Sequence, residues 1–297
     1  MGDVDLKQRI LTYQLEGSSL GDLGYTRILL QFCGFAGHGK SSLINSFIYT
    51  LNGGKFSVSA PVAKGEEKNG GACTVERIPY GLTDIITMVD NRGFGKADSF
   101  EREEVYSQMA NIQPLNEGVK WNWSYEERMK LVTTAKRNIT DLLVPIYVHS
   151  ALRQIPKKDE EEEILEFLEN VKKITGFLPF IVLTNKIRGD ADKLLSQFEQ
   201  FGMEKIFEVE NYTAENHVKS PEKEKTFLTI LKEILDYVDF VANVAVPTMD
   251  SPEVEHEKRQ QMILKVAHDN DVERKKKQWL AENKPPEKKA RWPCNVQ

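Results

Sequence analysis

"GFAGHGKS", residues 34–41, places glycine, glycine-lysine and serine at every fixed position of G-x-x-x-x-G-K-[ST]. Before it runs "TRILLQFC" (26–33), a continuous apolar stretch of the kind buried on both faces of a parallel sheet. After it, "KSSLINSFIYTL" (40–51) has helical period. Strand, glycine loop and helix in that order make a phosphate-binding loop. The glycines let successive N–H groups turn inward as an anion nest, and the helix N-terminus adds partial positive charge. Gly34, Ala36, Gly37, His38, Gly39, Lys40, Ser41 and Ser42 are therefore the expected phosphate-contact residues. Within that set Lys40 reaches the β- and γ-phosphates, and Ser41 ligates Mg²⁺.

Working outward, apolar runs alternate with helix-period segments, which predicts an α/β Ras-like P-loop domain: a mostly parallel sheet flanked by helices. "GGACTVERIPYGL" (70–82) and "TDIITMVD" (83–90) read as neighbouring strands, and "DLLVPIYVHS" (141–150) as a further one with a bulge or irregular end at Pro145. "FLPFIVLTNK" (177–186) and "KIFEVEN" (205–211) complete the strands. Helices are expected over 159–176, capped by Gly176, from Pro221 onward, and over 252–283. The segmentation is a lead-in over 1–24, a nucleotide domain over 25–247 with an insertion at 113–140, and a charged helix and basic tail over 248–297.

Asp90-Asn91-Arg92-Gly93 ends its strand as a D-x-x-G. Asp90 is placed to hold Mg²⁺ through water, and the Gly93 N–H to meet a γ-phosphate and swing when it leaves. The long polar loop 52–74 should supply a Mg²⁺-ligating hydroxyl, with Thr74 the first choice and Ser57 and Ser59 its rivals. Phe94 stands where efficient GTPases carry a water-orienting Gln, so slow intrinsic hydrolysis is expected. His38, Arg92 or a partner's group are the candidate replacements, although His38 reads more readily as a surface loop residue. Asn185-Lys186 closes the strand that should carry the base-recognition loop. Yet Arg188 occupies the position of the guanine-reading Asp, and Asp190 lies two residues late.

The net charge of −5 over 297 residues gives no argument for nucleic acid as a partner. Three cysteines without a C-x-x-C pair suit a reducing cytosol. The chain ends Cys294-Asn-Val-Gln297, a C-a-a-X pattern behind a basic run from Lys284 to Arg291. Prenylation of Cys294 and membrane association, a bipartite nuclear-import signal, or a plain solvated tail are the competing readings.

The stretch "GDLGYTRILLQFCGFAGHGKSSLINS" (21–46) resembles the corresponding segment of interferon-induced protein 44 and its 44-like relatives. That resemblance extends diffusely to about residue 245. It implies a cytoplasmic, immunity-associated GTPase-like domain binding GTP or GDP with Mg²⁺. It carries Gly34, Gly39, Lys40, Ser41 and Asp90 over as contacts. "VEN" (209–211) is similar to the loop of plastid-import and immune-associated GTPases in which an Asn contacts the base, which implies such a role for Asn211. The resulting expectation is a switch or self-assembling factor in innate defence, with homo-oligomers as partners. A nucleotide-binding scaffold without hydrolysis, or a P-loop ATPase, are the alternatives.

Overall fold

The sheet grows from the strand that feeds the glycine loop. A computed structural model describes residues 3–62, 76–95, 99–121, 123–134, 138–155, 158–244 and 249–283. Six strands, β1 Arg27–Cys33, β2 Ile78–Gly81, β3 Ile86–Asp90, β4 Asp141–Ser150, β5 Phe180–Thr184 and β6 Ile206–Glu208, form one sheet in the order β2-β3-β1-β4-β5-β6. All pairings are parallel except β2 against β3. This is an α/β Ras-like P-loop architecture.

Helices are α1 Asp3–Leu11, α2 Ser19–Asp22, α3 Lys40–Asn52, α4 Ser99–Met109, α5 Tyr125–Thr134, α6 Lys158–Thr175, α7 Ala191–Gln200, α8 Pro221–Val244 and α9 Pro252–Glu282. Strand side chains alternate between the two faces. Ile28, Leu30 and Phe32 of β1, with Leu142, Val144, Ile146 and Val148 of β4, pack beneath α3 and α8. Cys33, Tyr147, Ile181 and Leu183 face the opposite layer of α4, α6, α7 and α9. Burial on both sides is why these strands read as unbroken apolar runs rather than alternating ones.

Pro145 neither bulges nor ends its strand: β4 continues to Ser150, and Pro145 holds register with Gln31. The ladder to β5 begins one residue later, at Ile146 opposite Phe180, so position 145 is still an edge on that side. Gly176 does end α6, with φ +77° and its N–H on the Lys172 carbonyl.

The 113–140 insertion and the C-terminal helix meet. Helix α5 from the insertion packs on α9, and α9 packs on α4, with Ile263 in the apolar cluster shared with Val105, Tyr106 and Met109. Their common centre is polar. Arg128, 1% exposed, bonds Glu104 at 2.5 Å, Glu103 at 3.3 Å and Ser107 Oγ at 2.8 Å, and Asn270 of α9 donates to Glu103 at 2.8 Å. Residues 63–75, and with them Thr74, lie outside the described residues, as do 284–297 with Cys294 and the basic run. Among the described residues no helix is long and apolar enough to cross a membrane.

Candidate functional site

Gly34 leaves β1 at φ +130°, where a Cβ would stand 2.3 Å from the Val148 carbonyl of β4, so only glycine turns there. Gly39 opens α3 in the left-handed region at φ +91°, without a side-chain cap. The first N–H groups of α3 therefore have no side chain competing with an anion.

Lys40 is 6% exposed and donates to the Gly34 carbonyl at 3.3 Å and the Phe35 carbonyl at 3.0 Å. Burial lowers its pKa, against the opposing charge of Asp90. Ser41 Oγ donates to Asp90 Oδ2 at 2.6 Å, bringing hydroxyl and carboxylate together at the loop's mouth. Both are hard oxygen donors of the kind Mg²⁺ takes alongside phosphate and water. Among the described residues no group of three His, Cys, Asp or Glu comes together to hold a metal by protein ligands alone.

Gly93 sits against Lys40. A Cβ there would lie 2.5 Å from Lys40 Nζ and 2.8 Å from both Ala36 N and the Gly34 carbonyl. Ala36 N–H donates to the Phe94 carbonyl at 2.9 Å, and the Phe35 and Phe94 rings meet edge-on at 4.4 Å. The D-x-x-G segment is thus bonded directly to the phosphate loop.

The end of β5, where a base-recognition loop is expected, is tied to the same loop. Thr184 Oγ1 donates to the His38 carbonyl at 2.8 Å, and Asn185, at φ +59°, donates through Nδ2 to Ser150 Oγ at 2.9 Å. Lys186 N–H lies 3.4 Å from the Val209 carbonyl. Arg188 donates to Asn185 Oδ1 at 3.4 Å, adding only donors where guanine has its own N–H groups. Asp190 caps α7 through Lys193 N–H, and Gly189 is pressed against Ala151, so no bulge carries that carboxylate inward. Asn211 is buried, its Nδ2 on the Gly39 carbonyl at 3.3 Å and its Oδ1 near Ser46 Oγ at 3.5 Å. It braces α3 against the loop after β6 instead of standing open to a base. A carboxylate that sequence reasoning passed over, Glu210, accepts from Ile187 N–H at 3.3 Å beside the Asn185 loop. Its one available signal was an acid next to Asn211.

Neither candidate for the missing Gln is placed to orient water. His38 is no surface residue but 4% exposed, its ring 4.7 Å from that of His149. Its Nδ1 accepts from Ser150 N–H at 3.2 Å, so the ring proton resides on Nε2 and no basic lone pair is left. Burial, with His149, Lys40 and Arg153 adding to it, holds its pKa down to about 2. Arg92 is turned into the insertion: it donates to the Val119 carbonyl at 2.8 Å and lies 4.5 Å over the Trp121 ring. Phe94 is buried among Phe35 and Phe167.

No protein-family model matches the chain, and no curated protein matches it. Among solved structures the chain is similar to a crystal structure of Toc33 from Arabidopsis thaliana, a dimerization-deficient mutant. The identity is 16% and the TM-score 0.41, covering 77% of this chain and 91% of that one.

Proposed function

We propose that the chain is a guanine-nucleotide-binding domain that takes GTP or GDP with Mg²⁺ and works as a switch or self-assembling factor with slow or partner-stimulated hydrolysis. One observation carries it: the Ser41–Asp90 pair at 2.6 Å, with Lys40 and Gly93 packed around the same loop mouth. Lys40 exchanges its two loop carbonyls for phosphate oxygens, and the uncapped start of α3 receives the remaining negative charge. Ser41 and Asp90 would hold Mg²⁺, which would supply positive charge to offset that of the phosphates. At the far end Asn185 positions the base loop, and the Glu210 carboxylate supplies the acceptor that Arg188 lacks. A role in innate defence follows from the resemblance to the interferon-induced protein 44 relatives.

Titration with fluorescent GTP, GDP and ATP, on the parent and on Lys40→Ala, tests the reading. GTP and GDP should bind the parent well ahead of ATP, and Lys40→Ala should lose most of that affinity. Equal GTP and ATP affinity would remove the guanine assignment, and unchanged binding in the variant would remove the site.

A second reading, a nucleotide-binding scaffold that does not hydrolyse, is favoured by one specific arrangement. Phe94 is buried, Arg92 is engaged with Val119 and Trp121, and the basic lone pair of His38 is taken by the Ser150 N–H. Single-turnover hydrolysis no faster than the uncatalysed reaction would establish it.

A further inference from the structure

Helix α9 is anchored to the body by one face and presents another to solvent. Near its end Arg274 donates to the Trp123 carbonyl at 3.1 Å and lies 5.1 Å over the Phe100 ring. At about 100° per residue, Val272, Lys276, Trp279 and Leu280 fall in one arc of about 100° turned away from Arg274. Their exposures agree with that placement: 51% for Val272, 61% for Trp279 and 53% for Leu280. Every residue from Lys275 to Asn283 is exposed, so the last turns of the helix stand clear of the domain. Lys275 and Lys277 flank the apolar arc, each paired to an acid one turn back, Asp271 at 2.6 Å and Glu273 at 2.7 Å.

From this geometry we infer that the outer face of α9 around Val272, Trp279 and Leu280 is a membrane-surface element for anionic lipid, acting independently of any modification at Cys294. An aromatic and an aliphatic side chain side by side, with lysines around them, match the headgroup–acyl boundary. There the ring and the Leu enter the apolar layer while Lys276 extends its ammonium back to the phosphates. The charge of the chain points the same way. Residues 274–297 hold eight Lys and Arg against two Glu, in a protein whose net charge is −5. Nucleic acid would use the lysines and stack on Trp279, but it gives Leu280 and Val272 no apolar layer to enter. The surface lies apart from the phosphate loop, so it stands whether or not the nucleotide reading does.

The test uses the full chain made without a prenyltransferase, so that Cys294 is unlipidated, with co-sedimentation on phosphatidylserine–phosphatidylcholine vesicles and on phosphatidylcholine vesicles alone. Partitioning should require phosphatidylserine, and the Trp279→Ser/Leu280→Ser double variant should lose at least about tenfold of it. Both replaced side chains are exposed, so the variant's melting temperature should match the parent's, which separates lost binding from lost folding. No sedimentation of the parent with anionic vesicles overturns the inference, as does equal sedimentation of parent and variant. So does displacement of the parent from vesicles by an oligonucleotide that binds parent and variant alike.

Discussion

Replacing Gly93 by Ala adds one methyl group where the structure has no space for it. The new carbon would stand 2.5 Å from Lys40 Nζ, 2.8 Å from Ala36 N and 2.8 Å from the Gly34 carbonyl. Lys40 can swing aside, but the other two neighbours are backbone, so the 92–94 segment has to withdraw. Withdrawal breaks the Ala36 N–H bond to the Phe94 carbonyl, a net loss of about 1 kcal/mol. It also opens the Phe35–Phe94 edge contact, for about 0.5–1.5 kcal/mol more. The sum falls within the roughly 1–3 kcal/mol typical of overpacking. For a chain of this size that corresponds to a melting temperature lower by roughly 2–10 °C. Because Gly93 faces the Lys40 end of the loop, binding of a triphosphate should suffer more than binding of a diphosphate. Calorimetric melting and parallel GTP and GDP titrations read both effects. A variant that melts within a degree of the parent and binds GTP equally well would show that the D-x-x-G segment does not close on the phosphate loop.

Two other perturbations probe the ground beneath the site. His149 is held to about 4 and His38 to about 2, chiefly by burial, against an ordinary imidazole value of about 6.5. Below pH 6.5 the unfolded chain takes up protons that the fold refuses. Stability is therefore full above pH 6.5 and falls as pH drops toward 4, by about 3 kcal/mol from His149 alone. Urea midpoints between pH 4.5 and 7 should show a shallower slope in His149→Phe, and an identical slope would contradict this account. Arg128→Met leaves the buried Glu103 and Glu104 carboxylates without their cation, which should cost about 3–5 kcal/mol in urea unfolding. A loss below about 1 kcal/mol would mean that those acids are held neutral instead.

What was legible in the chain follows from what kind of burial shapes each part. Strands β1, β4 and β5 are covered on both faces by apolar layers, so they announce themselves as runs, and the glycine loop between β1 and α3 is spelled out by its steric needs. Helix α4 is different. It buries Glu103, Glu104, Ser107 and Gln108, because its neighbours are the guanidinium of Arg128 and the backbone N–H of Arg92. Hydrophobic periodicity cannot register a helix whose inward face is charged. Helix α9, expected over 252–283 and found at Pro252–Glu282, is legible as a helix, but its inward face is not, since it buries His256, Arg259 and Asn270 while exposing Val272 and Trp279. His38 misleads in the other direction, since a polar residue in a glycine loop reads as exposed. Its ring turns under the loop to meet Ser150 and His149 at the end of β4, a contact between residues over a hundred positions apart.

The same polar packing explains why the insertion belongs to the site rather than beside it. Arg77, fully buried, bonds Asn91 Oδ1 at 2.9 Å, Gln31 Oε1 at 3.0 Å, Asn111 Oδ1 at 2.7 Å and the Gln113 carbonyl. Burial brings its pKa down to about 9, and its bonded neighbours are amide oxygens rather than a carboxylate. Glu76 bridges to Gly118, and Arg77 N–H bonds the Glu117 carbonyl, so the residues leading into β2 are laid along the insertion. Arg92, from the other side of Asp90, bonds Val119 and covers Trp121. Segment 113–121 therefore holds Arg77, ahead of β2, and Arg92, after β3, and two residues on, Trp123 receives Arg274 of α9. A displacement of Asp90–Gly93 large enough to admit a γ-phosphate has to break or carry with it the Arg92 contacts. Trp123, two residues past Trp121, accepts from Arg274 of α9 and lies 5.0 Å from the Arg128 guanidinium of α5. An insertion that only decorated the domain would have met α9 through side chains on its outer surface, whereas this one meets the D-x-x-G segment through Arg77, Asn91 and Arg92.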